Sequence, residues 1–181
     1  MPGAPASPRR ASLKARALQL LSRRDYSRAE LRRKLLPAAL AEAIGGAAEA
    51  DLDDEQARQR AGEQIDALLD WLQAQRHQSD SRFVESRVHA RTGRFGNQRI
   101  RRELALHEVE LTPEMESDLK RSELERALDV LGRKFACAAA SPNERSRQAR
   151  FLAGRGFGAE VIQRALRASA NSAEEAGPEF D

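Results

Sequence analysis

Apolar residues return at three- and four-residue intervals along most of the chain, the spacing of helix faces that meet a core. Leu13, Ala17, Leu20 and Leu21 share one face of a helix that starts near Ser12. Ser27 and Glu30 make the S-x-x-E pattern of a capping box. That box opens a short second helix striped by Leu31 and Leu35, and Pro37 is expected to end it. Ile65, Leu68, Leu69 and Leu72 form a third stripe beside Trp71. A helix opened by Asp80 is broken by Gly93 and Gly96, and Asn97 is expected to cap the next, with Ile100 and Leu104 inward. Thr112 and Pro113 read as the N-cap and first residue of a further helix. Leu124, Leu128, Leu131 and Phe135 give a separate seam, and Ser141 with Glu144 a second capping box. "RQARFLAGRGF" and "GAEVIQRALRA" close the ordered part.

This order of long, short and medium helices recurs. With the short helices aligned on Leu35, Leu104 and Leu152, an apolar docking residue follows each: Leu40, Val109 or Phe157. The first interval is longer, by about the length of the Ala/Gly/acid-rich stretch 38–58, so that stretch reads as an insert in a repeat of about 48 residues. Runs of Val, Ile and Thr that would make strands are absent. The predicted fold is all-α: about three tandem three-helix repeats, roughly nine helices, in an elongated, curved array. Its expected parts are a disordered basic head over 1–11, repeats over 12–76, 77–120 and 121–168, and an acidic disordered tail over 169–181.

Composition narrows the chemistry. Aromatics are only 4% of the 181 residues, so the core must be aliphatic. Cys137, the single cysteine, lies in "RKFACAAA" and reads as a small residue buried in a helix. The three histidines, His77, His89 and His107, fall in no metal-ligand spacing. No phosphate-binding glycine motif follows a strand, and "GRGFG" at 154–158 reads as a loop between helices. The expectation is a non-enzyme without cofactor or metal. Nothing is apolar for long enough to span a membrane, and the N-terminal stretch has no hydrophobic region of a secretory signal, so a cytoplasmic monomer is expected.

Charge is the remaining signal. The net charge of +3 conceals acids gathered in 38–57 and 169–181 and a basic body between them. Over 82–107, seven arginines face two acids, Glu85 and Glu103. Arg87 projects into the apolar arc of its helix, so it must snorkel, find an acid or meet a partner. Arg91, Arg94, Arg99 and Arg102, with Arg147, Arg150 and Arg155 further on, are the candidate contacts for a polyanionic partner. Such contacts would be salt-dependent and not sequence-specific, and the scarcity of aromatics argues against a single-strand binder of the stacking kind.

"DYSRAELRRKL", "DSRFVESRVHARTGRFGNQRIRREL" and "RQARFLAGRGFGAEVIQRAL" resemble the three blocks of RecX regulatory proteins, over residues 12–168. The resemblance implies three-helix repeats. It also implies a negative regulator that binds the RecA protein filament on single-stranded DNA and suppresses its ATPase and strand exchange. A helical nucleic-acid-binding module acting alone is the alternative, and a scaffold with merely solvated arginines a third. Three positions depart from the pattern. Arg87 stands where an apolar residue is usual. Ala39 and Glu108 stand where glycine is common, and Glu108 suggests a different helix end.

Overall fold

The computed structural model describes residues 11–45, 53–135 and 137–175, with side chains to residue 171. All regular structure among them is helical. The helices are α1 (Leu13–Leu21), α2 (Arg28–Gly45), α3 (Asp54–Ala74), α4 (Asp80–Thr92), α5 (Asn97–Ala105), α6 (Pro113–Lys134), α7 (Pro142–Gly154) and α8 (Ala159–Glu175). The chain divides into two compact units, residues 1–83 and 84–181.

In the first unit α2 lies along α3 and α1 packs on α2. Leu13, Ala17, Leu31, Leu35, Ala39, Ile65, Leu69 and Leu72 make its core. Ser12 accepts from the Ala15 amide to start α1, and Ser27 accepts from the Glu30 amide at the start of α2. Pro37 does not end α2, which runs on to Gly45. The ring lies on the exposed side, where a missing backbone hydrogen bond costs least. Burial of Leu35 and Ala39 on the other side keeps the helix on the core. Ala39 is therefore a helical core residue, and Leu40 continues the helix instead of docking after it. The stretch read as an insert is partly helical: α2 takes its beginning and α3 its end, while 46–52 lie outside the described residues. The head, but for Ala11, also lies outside them.

In the second unit α6 is central, touching α5, α7 and α8. The helix predicted at Thr112–Pro113 and the seam from Leu124 to Leu131 belong to this one helix, with Phe135 as its C-cap, so the described residues hold eight helices, close to the roughly nine expected. Because it serves neighbours on more than one side, its buried residues are Leu119, Glu123, Ala127, Val130 and Leu131, while Leu124, Leu128 and Phe135 are half-buried. Thr112 caps it with Pro113 at the first position. Ser141 and Glu144 form the reciprocal capping box of α7. Cys137 is not in a helix and not buried: α6 stops at Lys134, Phe135 turns extended, and the thiol is exposed beyond it. α8 runs to Glu175, into the segment expected to be a disordered tail; 176–181 lie outside the described residues.

The ends of α5 and α7 are built alike. Val109 donates to the Leu104 carbonyl and Phe157 to the Leu152 carbonyl, both at 3.3 Å. The residue before each is left-handed: Glu108 with φ 55° and Gly156 with φ 84°. Glutamate thus does not change the helix end. It adopts the conformation glycine would favour, at a cost of about 1 kcal/mol. Arg76, after α3, does the same with φ 57°.

Candidate functional site

Asn97 does not cap its own helix. Gly96 is the N-cap of α5 and offers no side chain, so the amides there find partners elsewhere. Gly96 donates to the Arg155 carbonyl at 3.0 Å and Gln98 to the Gly156 carbonyl at 3.1 Å. The Asn97 amide and side chain donate to Glu123 of α6, at 2.9 and 2.8 Å. Glu123 is buried, and Arg126 donates to Asn97 Oδ1 and to the carbonyls of Phe95 and Leu119. Burial lowers the Arg126 pKa, and the charge of Glu123 opposes that fall. The joint between the α4–α5 turn and the α7–α8 turn is close: a Cβ on Gly96 would overlap the Gly156 carbonyl group, and one on Gly156 would lie 2.5 Å from Arg99 Cβ.

That joint sorts the arginines. Glu103 takes Arg91 in a forked pair, at 2.8 and 2.9 Å, and Arg87 at 3.3 Å. The hydrogen bonds to Glu103 raise the Arg91 pKa. Arg87 has therefore found an acid, and Arg91 serves to hold α4 to α5. Arg101 pairs with Glu116 at 2.7 Å. Arg82 lies 3.7 Å from Asp25 and donates to the carbonyls of Arg76 and His77. Arg94, Arg99 and Arg102 are exposed and have no ion pair with a described residue.

The structure brings Arg94, Arg99 and Arg155 together and links Arg147 to them through aromatic rings. Arg99 lies 4.2 Å above the Phe95 ring, Arg155 4.5 Å above Phe151, and Arg147 5.8 Å from Phe135. Phe135 and Phe151 meet edge to face at 5.3 Å. The rings are covered by guanidinium groups, so they fix cations in place and leave little face for a base to stack on. Arg155 also donates to the Arg94 carbonyl at 3.3 Å. Arg150 is exposed on α7 with no ion pair to a described residue, and neither it nor Arg102 touches the cluster through a hydrogen bond or ring.

Two further cations were not among the sequence candidates. Arg133 and Lys134, in the last turn of α6, line a groove of about 340 Å³ with Arg94, Phe95, Phe151 and Arg155, and no acid among the described residues lines it. Arg133 donates to the Gly93 carbonyl at 2.6 Å. Sequence reading passed over them because two bases in a last helical turn are what the helix dipole favours anyway; only the fold shows that they face Arg94 and Arg155. Among the described residues no group of three His, Cys, Asp or Glu could hold a metal, and no helix is long and apolar enough to cross a membrane.

Fold and site define an all-helical protein of packed helix–turn–helix elements whose second unit carries a cationic, acid-free groove. Residues 122–166 match the family model for the third three-helix domain of RecX. The chain is 43% identical to "Regulatory protein RecX" of Herbaspirillum seropedicae over 157 residues, covering 86% of this chain and 89% of that one. It is also 43% identical to that of Herminiimonas arsenicoxydans over 160 residues, covering 87% and 92%. The crystal structure of RecX from Lactobacillus salivarius has the same fold, with a TM-score of 0.62 at 15% identity, over 88% of this chain and 95% of that one. The chain belongs to the RecX family of regulatory proteins.

Proposed function

We propose that this chain binds the RecA filament on single-stranded DNA and suppresses its ATPase and strand exchange, acting as a binding protein and not an enzyme. Family membership supports the regulatory role. The observation that carries the contact is the acid-free groove of Arg94, Arg133, Lys134 and Arg155, continued by Arg99 and Arg147. Guanidinium groups already seated on phenyl rings or backbone carbonyls lose little freedom when they meet an anion, which favours binding. Arg102 and Arg150 are exposed candidates outside the groove, whereas Arg91 is held by Glu103 and ties α4 to α5.

The test is the single-stranded-DNA-dependent ATPase of RecA, titrated with this protein at fixed moderate salt. Inhibition at less than one copy per RecA, with weak binding to bare DNA, is the expected result. No inhibition, with firm binding to bare DNA, would replace this reading by a nucleic-acid-binding module acting alone.

A further inference from the structure

The other end of α5 carries a different surface. A pocket of about 570 Å³ opens there, with Leu104, Val109 and Leu111 in its apolar lining and Glu108, Glu110 and Glu116 as its acids. Arg101 neutralises Glu116. Glu108 and Glu110 are exposed and have no cation partner among the described residues. Leu106, on the same turn, is 72% exposed, one of two large apolar side chains so exposed among the described residues. Glu108 holds its place with φ 55°, where glycine would be unstrained. At the equivalent turn after α7 glycine is required, because Arg99 packs against it.

We propose that this pocket receives a lysine or arginine side chain of the protein partner, its methylenes along Ala105 and Leu111 and its charge between Glu108 and Glu110. Two unpaired carboxylates over an apolar lining complement a long cationic side chain, which has an apolar stem and a charged tip. The same carboxylates repel phosphate, so nucleic acid is the wrong occupant. The second unit thus has separate places for its two kinds of contact: the cationic groove for anions, and this pocket for a basic protein side chain. The inference rests on the filament reading for its probe, RecA assembled on poly(dT) with a non-hydrolysable nucleotide.

Glu108→Gly distinguishes a ligand role from a merely tolerated residue, because it removes strain and a carboxylate together. Thermal unfolding should shift upward by about 2 °C or more, while affinity for the filament falls about tenfold. Glu110→Lys should lower affinity at least as far without raising the melting temperature. Filament binding by Glu108→Gly as tight as that of the unaltered chain would overturn the proposal. If the unaltered chain does not bind the filament, the filament reading fails as well. If it binds, and only Glu108→Gly is neutral, this inference alone fails.

Discussion

Gly156 has φ 84°, and a Cβ there would meet Arg99 Cβ at 2.5 Å. Gly156→Ala should therefore cost about 3 kcal/mol by chemical denaturation, from left-handed strain and overpacking together. It should also loosen the seat of Arg99 and Arg155. The single-residue pH effect is at Asp66, whose hydrogen bonds from Arg32 hold its pKa below the usual 3.8. A depressed carboxylate pKa stabilises the fold above the unfolded value, and the contribution disappears as pH falls through the folded one. Asp66→Asn should lower stability slightly at neutral pH and flatten that part of the acid limb below about pH 4 in a stability–pH profile. At this scale the sequence showed an arginine excess but not its allocation. Glu103 comes after the arginines it holds, and only folding lets one carboxylate engage both Arg87 and Arg91.

Helix existence was legible where apolar spacing was regular, and so were caps made by neighbours in sequence, as at Thr112 and Ser141. The α5 cap was not, because its partners are Glu123 and the carbonyls of Arg155 and Gly156. No local rule connects Asn97 to an acid on another helix. Glu123→Ala would leave the Asn97 amide and the buried side of Arg126 without their counterpart, at a cost of about 3 kcal/mol. Hydrogen exchange should show α5 opening before α6. Pro37 misled for the opposite reason: a local breaker was overruled by burial of Leu35 and Ala39 on the far face. Pro37→Ala should raise stability by about 1–3 kcal/mol in thermal unfolding, since the helix already exists around the ring.

For the molecule as a whole, the proposed contact through about five cations predicts a steep salt response. With single-strand phosphates as the anions, affinity should fall about a hundredfold between 50 and 200 mM salt. Arg99→Glu combined with Arg102→Glu should weaken filament binding at unchanged helical circular dichroism; unchanged inhibition by that variant would remove this surface from the reading. The family was readable from three sequence blocks, but the groove was not, since Arg133 and Lys134 lie outside them and reach Arg94 only through packing of α6.

The continuity of α6 bears on how this protein can be taken apart. A cut at residue 120, where sequence repetition would place a seam, falls inside a 22-residue helix. Fragments made there would each inherit half of a shared girder, one losing Glu123 and Arg126, the other the Thr112 cap. Limited proteolysis should spare α6.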